Sequence, residues 1–176
     1  MNKIITVTVM SILLNPNSTL RPRRVMVDKW DIAHMETAKI YAKLSSAKRL
    51  KVGCVIVKDR RIISIGYNGM PSGWDNECEY LDKEYEFFDG ALKTKKEVLH
   101  AESNAIAKVA RSSESSFGAV LYCTHAPCLD CAKLIHQAGI VEVWYEEEYR
   151  NKEGLRFLAE CDILVRRVQE KDYESI

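Results

Sequence analysis

The sequence predicts an α/β fold in which a largely parallel sheet is covered by helices on both faces. From about residue 27 onward, short runs rich in β-branched residues alternate with segments of helical apolar periodicity. Such alternation is typical of strand–helix–strand units, whose sheets are buried on both sides. The chain has 176 residues, a length that suits one domain with a full-sized core.

The first half of the domain is predicted to contain a helix, a hairpin, a turn and an insertion. The helix begins at Trp30, because apolar residues recur from there at helical spacing as far as Leu44. Two β-rich runs follow, at residues 52–57 and 62–65, separated by a polar segment that suits a hairpin connection. Residues 66–73 have turn chemistry throughout, and residues 74–98 form a highly charged insertion with little periodicity.

The second half alternates more regularly. A helix opens at His100 and is followed by a strand at residues 119–123 and a second helix at residues 127–137. A strand at residues 141–145, a short helix at residues 152–160 and a strand at residues 163–168 complete the predicted order.

Residues 1–25 precede the periodic part of the chain and are predicted to be a disordered extension or a mis-assigned start, since Met26 stands immediately before the fold. Their apolar stretch at residues 4–14 resembles the hydrophobic region of a signal peptide, but it is too short to span a membrane. The residues after it offer no small-x-small cleavage site. We therefore predict a single domain over residues 26–172 and a cytoplasmic location without membrane contact.

Charge and cysteine content narrow the class of protein. The chain has 26 basic and 25 acidic residues, a formal net charge of +1, whereas polynucleotide-binding proteins carry a positive footprint. This balance favours a small substrate and argues against nucleic acid as a partner. Of the six cysteines, Cys54 and Cys123 lie in apolar strand-like runs and Cys161 lies near a helix end. We predict that these three are small buried hydrophobic residues rather than members of disulfides.

Two short motifs predict a zinc site with an open coordination position. They are His100-Ala101-Glu102 and Pro127-Cys128-Leu129-Asp130-Cys131. Structural zinc has four protein ligands, whereas catalytic zinc has three and a water; here His100, Cys128 and Cys131 supply three. Pro127 suits the first turn of a helix, and the step of three residues places both sulfur atoms on one helix face. The helix N-terminus favours the thiolate form that binds metal.

Glu102 makes this site a predicted catalytic centre. Hydrolysis of an amidine needs a group that accepts a proton from water and returns it to the ring nitrogen and the leaving ammonia. The alternative is a structural zinc ribbon with an incidental glutamate, but ribbons usually show four ligands in two close pairs. The order H-x-E followed by P-C-x-x-C is the signature of zinc nucleobase deaminases.

With these motifs placed, residues 30–168 resemble the cytidine/deoxycytidylate deaminase superfamily, and within it the deoxycytidylate (dCMP) deaminases. The narrower likeness rests on segments 51–53, 66–73 and 137–140, which read Lys-Val-Gly, Gly-Tyr-Asn-Gly-Met-Pro-Ser-Gly and Gln-Ala-Gly-Ile. The resemblance implies a three-layer α/β/α sandwich around a five-stranded mixed sheet. It also implies hydrolytic deamination of dCMP to dUMP, which supplies dUMP for thymidylate synthesis.

The resemblance further implies a homohexamer that is activated by dCTP and inhibited by dTTP, each with Mg²⁺. By motif position, Asn68 would hold the substrate sugar and Ala126 with Pro127 would line the base pocket. The complete set assigned to the substrate is Lys51, Asn68, Ala101, Ala126 and Pro127. The set assigned to the effector is Gly66, Tyr67, Asn68 and Gly69.

The chain departs from the family in one respect. Some members bind a second, structural zinc through a cysteine just before the Lys-Val-Gly segment, where Arg49 and Leu50 stand here. We therefore expect one Zn²⁺ per subunit, and Cys78 has no assigned role. Lys48, Arg49 and Lys51 are candidates for contact with a 5′-phosphate, with a solvated charge run as the alternative.

Other residues and functions stay open at this point. Tyr149 and Arg150 are candidates to close the site or meet phosphate, and His125 is a candidate for a hydrogen bond in the pocket. The alternative functions are deamination of dCTP, of a riboflavin precursor or of a tRNA adenosine, and a non-catalytic zinc-binding regulatory subunit. The neutral charge argues against tRNA, and an intact Glu102 argues against a non-catalytic role.

Overall fold

The computed structural model describes residues 27–82 and 92–174. The elements found there, in chain order, are α1 (Lys29–Ala42), β1 (Gly53–Lys58), β2 (Arg61–Tyr67), β3 (Glu79–Leu81), β4 (Leu92–Thr94), α2 (Ala101–Ala110), β5 (Val120–His125), α3 (Leu129–Gln137), β6 (Glu142–Glu147), α4 (Glu153–Glu160), β7 (Leu164–Arg167) and α5 (Glu170–Tyr173). The predicted extension over residues 1–25 lies outside the described residues. No helix of the described ranges is long and apolar enough to cross a membrane.

Five of the strands form one mixed sheet in the order β2-β1-β5-β6-β7. Strand β1 is antiparallel to both β2 and β5, whereas β5, β6 and β7 run parallel. The largely parallel sheet expected from alternation alone is therefore wrong for the first half, and the mixed sheet implied by the family resemblance is confirmed. The β1–β2 turn is formed by Asp59 and Arg60, both at positive φ, which is the backbone twist of a two-residue hairpin.

The sheet is packed on both faces, which confirms the three-layer sandwich. Along β1, Cys54 and Ile56 point into a core shared with α2, α3 and α4, while Val55 and Val57 point into a core shared with α1. This alternation is the period of two that a strand imposes on its side chains. Cys54 and Cys123 are directly opposite each other and fully buried, so their prediction as small core residues is confirmed.

Two predicted elements begin later in the structure than the sequence indicated. Cys128 has extended backbone angles and is the N-cap of α3, so Pro127 precedes the helix instead of occupying its first turn. Gly66 and Tyr67 belong to β2 and pair with β1, so the predicted turn begins only at Asn68.

The charged insertion contains regular structure that its sequence did not indicate. Strands β3 and β4 form a separate two-stranded antiparallel sheet, in which Glu79 is paired with Thr94. Just before β3, Cys78 is buried with Ala47 and Val98 in a small apolar cluster. Cys78 therefore has a packing role, which the sequence had left unassigned.

Candidate active site

The three predicted zinc ligands converge where two helices begin. His100 is the N-cap of α2 and Cys128 is the N-cap of α3, with Cys131 in the first turn of α3. The Nδ1 atom of His100 lies 3.4 Å from the Sγ atom of Cys128 and 3.4 Å from that of Cys131. Tetrahedral zinc with ordinary Zn–N and Zn–S bonds separates such atoms by about 3.5 Å. Within the described ranges, this is the one group of metal-binding side chains found so close together.

The electrostatics of the three side chains also suit a cation. Hydrogen bonds from Cys131 and then from His100 lower the pKa of Cys128 to about 4. The hydrogen bond to Cys128, followed by burial, raises the pKa of the Cys131 thiol well above its ordinary value. Cys128 thus favours the thiolate form and Cys131 the thiol form, and a divalent cation is the partner that would hold both as thiolates.

Two close backbone contacts fix these helix starts. Gly154 in α4 packs so tightly on the turn before α3 that an added Cβ would lie 2.1 Å from the carbonyl oxygen of Pro127. Gly66 in β2 packs in the same way on α2, where an added Cβ would lie 2.1 Å from the carbonyl oxygen of Ala101. The loop after β2 is held as well, since Gly69 and Leu99 exchange backbone hydrogen bonds immediately before His100.

Glu102 lies in the first turn of α2 and is 4% exposed. Burial raises the pKa of its carboxyl group above the ordinary value, while a hydrogen bond from its own backbone N–H and the charge of His100 oppose that shift. A buried carboxyl group that lines a cavity beside a metal-binding cluster is a candidate acid–base group.

A cavity of about 680 Å³ opens above these residues, within the size range of small-molecule sites. The predicted residues that line it are Asn68, His100, Ala101, Glu102, Ala126 and Cys128, together with the open candidates Arg49, His125, Tyr149 and Arg150. Lys51, Pro127, Cys131, Gly66, Tyr67 and Gly69 are not among the lining residues. Lys51 is exposed, so its role in substrate binding stays a prediction without support from the cavity.

One side of the cavity, formed by the β3–β4 sheet, was not predicted from the sequence. Glu79, Lys93 and Thr94 line that side, and Val98 follows them. Their segment is highly charged, acidic over residues 75–89 and mostly basic over residues 93–97, but it has no apolar period, so no signal in the sequence placed them near the zinc motif.

Asn68 holds the segment before β1 in place. Its Oδ1 atom accepts a hydrogen bond of 2.8 Å from the Val52 N–H, and its Nδ2 atom donates one of 2.8 Å to the Leu50 carbonyl. A carboxamide offers two N–H groups and two acceptor sites, so one of each is left for a ligand in the cavity.

Comparison with known proteins identifies the family. Residues 28–147 match the family described as the cytidine and deoxycytidylate deaminase zinc-binding region. The chain belongs to this family. The matched segment contains His100, Glu102, Cys128 and Cys131, and the superfamily prediction made from these residues is confirmed.

Several members of the family are similar over most of this chain. The deoxycytidylate deaminase of Schizosaccharomyces pombe is 38% identical over 144 residues, which are 78% of this chain and 41% of that protein. ComE operon protein 2 of Bacillus subtilis is 38% identical over 125 residues, covering 69% of this chain and 61% of that protein. The chain thus spans about two fifths to three fifths of the length of these relatives.

A solved structure extends the comparison to the fold. The dCMP deaminase of the cyanophage S-TIM5, in complex with dCMP and dUMP, has a TM-score of 0.73 and 42% sequence identity. The match covers 81% of this chain and 99% of the phage chain. The cytidine deaminase fold predicted for this chain is therefore confirmed.

Proposed function

We propose that this protein catalyses the hydrolytic deamination of dCMP to dUMP and ammonia, and so supplies dUMP for thymidylate synthesis. The observation that carries the proposal is a buried Glu102 beside an open His/Cys/Cys cluster at the base of a nucleotide-sized cavity. The choice of dCMP rests on the likeness to proteins named deoxycytidylate deaminase.

His100, Cys128 and Cys131 would hold one Zn²⁺ per chain. Two thiolates and a neutral imidazole balance its formal charge, and the thiolates fit a reducing compartment such as the cytoplasm. When bound there, zinc supplies a Lewis acid that lowers the pKa of a water molecule to roughly 7.

Glu102 is the proton carrier of the proposed reaction. Its carboxylate would accept the proton of the attacking water and pass it to N3 of the cytosine ring. The proton of the hydroxyl group added at C4 would then pass to the C4 amino group, which leaves as ammonia while C4 becomes a carbonyl. Because burial raises the pKa of Glu102, its carboxylate accepts a proton from water more readily than the carboxylate of an exposed glutamate does.

The remaining lining residues would orient the nucleotide. Ala101 and Ala126 present small apolar surfaces beside the cluster, which suits a flat base. The free N–H and acceptor site of Asn68 would meet a sugar hydroxyl, while its other two hydrogen bonds keep the amide fixed.

The proposed regulation by dCTP and dTTP with Mg²⁺ would act through Gly66, Tyr67, Asn68 and Gly69 in a hexamer. Two contacts support a route from this segment, the end of β2 and the two residues after it, to the catalytic helix. Gly69 is bonded to Leu99, next to His100, and Asn104 in α2 donates a hydrogen bond of 3.0 Å to the Tyr67 carbonyl. An effector that displaces this segment would therefore act on the first turn of α2.

The proposal is tested by measuring ammonia release from dCMP, dCTP and deoxycytidine side by side with zinc-loaded protein. We expect turnover of dCMP, and a loss of at least ~100-fold in kcat for Glu102→Gln with zinc retained, because an amide cannot accept the proton. Absence of ammonia from dCMP would overturn the proposed substrate. Native turnover by Glu102→Gln would overturn the assigned proton carrier.

A further inference from the structure

The β6–α4 loop, residues 148–152, brings Tyr149 and Arg150 into the lining of the cavity. At the α4 end of this loop, Gly154 packs directly against the turn before α3, so this end is fixed relative to the metal cluster. The position of the two lining side chains therefore also depends on what holds the loop at its β6 end.

Three elements of the fold converge on Glu146, near the end of β6. Its carboxylate accepts a hydrogen bond of 2.9 Å from the Tyr173 hydroxyl in α5 and forms an ion pair of 2.6 Å with the Nζ atom of Lys39 in α1. Its backbone carbonyl accepts a hydrogen bond of 2.9 Å from the Nε atom of Arg167 in β7. The Lys39 ammonium also lies 4.1 Å from the centre of the Tyr173 ring. Because the Glu146 side chain is only 20% exposed, water and salt screen these contacts weakly.

Arg167 also binds the β6–α4 loop itself. Its Nη1 atom donates a hydrogen bond of 3.1 Å to the carboxylate of Glu148, which precedes Tyr149 in the chain. The donors of a guanidinium form a planar fork, so one side chain can bind the Glu146 carbonyl and the Glu148 carboxylate at once. Lys152, at the other end of the loop, forms an ion pair of 3.1 Å with the second carboxylate oxygen of Glu148. The β6 end of the loop is thus held from β7 and, through Glu146, from α5.

We propose that Arg167 and Tyr173 are positioning residues for the substrate, which makes β7 and α5 part of the substrate-binding machinery. The inference rests on the proposed function and adds these two residues to it. Neither of them lines the cavity, so neither touches the substrate. They act on substrate binding by fixing Tyr149 and Arg150, and they leave the proton transfers at Glu102 unchanged.

Steady-state kinetics of ammonia release from dCMP by the zinc-loaded full chain separates binding from chemistry. Tyr173→Phe removes the hydroxyl but keeps the ring beside Lys39, and Arg167→Gln removes the charge that binds Glu148. For each variant we expect KM for dCMP to rise about 2- to 5-fold with kcat unchanged, the factor that a half-exposed ion pair or one hydrogen bond contributes. Arg167→Lys should restore part of the loss, because it keeps the charge but not the fork.

A double-mutant cycle tests whether Arg167 acts through Glu148. Glu148→Gln should raise KM by itself but add little in the Arg167→Gln background, because the interaction is already lost there. Calorimetry with dUMP gives a readout that does not depend on turnover, and Kd for dUMP should rise by the same factor as KM.

Arg61→Gln is the matched control, because Arg61 also binds a glutamate, Glu114, through two hydrogen bonds and neither residue lines the cavity. It should leave KM and the affinity for dUMP unchanged. Native KM and native dUMP affinity in both Arg167→Gln and Tyr173→Phe would overturn the positioning role. So would a fall in kcat without a change in KM, or an equal rise in KM in Arg61→Gln. Absence of dCMP turnover in the native protein would instead overturn the proposed function.

Discussion

Replacing Gly154 with alanine tests how closely α4 is packed against the turn that carries Cys128. The added Cβ would lie 2.1 Å from the carbonyl oxygen of Pro127, and 2.8 and 2.9 Å from the carbonyl carbon and oxygen of Cys128. Ordinary van der Waals contact begins near 3.5 Å, so α4 must move away by about 1 Å or more. The atoms in contact are backbone atoms, which cannot rotate aside as a side chain can.

Two effects of opposite sign compete in this variant. Helix propensity favours alanine over glycine by at most about 1 kcal/mol, and by less at the second residue of a helix. Overpacking a closely packed site costs about 1–3 kcal/mol. We therefore expect the free energy of unfolding to fall by about 1–2 kcal/mol. Since the displaced turn contains a zinc ligand, zinc should also dissociate faster.

Urea denaturation of the zinc-loaded protein measures the first effect, and transfer of zinc to a chelator measures the second. Gly69→Ala is the matched control, because no atom lies within 4 Å of its added Cβ and no loss of stability or zinc is expected. A Gly154→Ala variant that is as stable as the native protein, and holds zinc equally well, would refute the close contact and the link between α4 and the metal cluster.

Three other perturbations address the metal, the proton carrier and the regulatory loop. Cys128→Ser and Cys131→Ser should each lower a native zinc content of about one per chain, and unchanged zinc in both would contradict the ligand set. Glu102 must be ionised to accept a proton and burial raises its pKa, so the acid limb of the kcat/KM profile should lie above pH 4.5, the ordinary value for glutamate. Zinc content at each pH separates this effect from metal loss, and a limb at or below pH 4.5 would contradict it. Gly69→Val has space for its side chain and should retain zinc while weakening activation by dCTP and inhibition by dTTP. Hyperbolic native kinetics that ignore both triphosphates would contradict the regulatory role.

The metal cluster could be predicted because its signals are local in the sequence. Cys128 and Cys131 are three residues apart, and His100 and Glu102 are two residues apart at the start of a helix. Each pair is brought together by one turn of backbone, whatever the rest of the fold does. Only the approach of one pair to the other depends on tertiary structure. It could be predicted because a catalytic zinc ion needs three protein ligands, which neither pair provides alone.

The direction of the strands could not be derived in the same way. The turn at Asp59 and Arg60 predicts that β2 returns antiparallel to β1, but nothing near β1 indicates that β5 is its other neighbour. That pairing depends on the apolar faces of α1 and α2 together. How these two faces combine is a property of the packed molecule. Alternation of strands and helices therefore overestimated the parallel part of the sheet.

The β3–β4 sheet escaped prediction for a different physical reason. Its strands have three residues each, and four of these six are exposed, so the apolar alternation of a half-buried strand is absent. What stabilises it instead is polar: the Glu79 carboxylate and the Thr94 hydroxyl bind the segment around Arg49. Hydrogen bonds between residues about 30 to 45 positions apart leave no periodic trace in a sequence.

The cavity thus has a base and a rim that are built by different forces. At the base, Gly66 in β2 and Gly154 in α4 pack directly against the helix starts. A shift of either element by about 1 Å would move Ala101 or Cys128. At the rim, exposed polar residues such as Arg49, Thr94 and Arg150 line the cavity, and a hydrogen bond joins Arg49 to Thr94. Substitutions at the base must change the chemistry or the fold, whereas those at the rim can change the substrate alone. A family built on one zinc motif can therefore diversify its substrates at the rim while the deamination chemistry at the base stays the same.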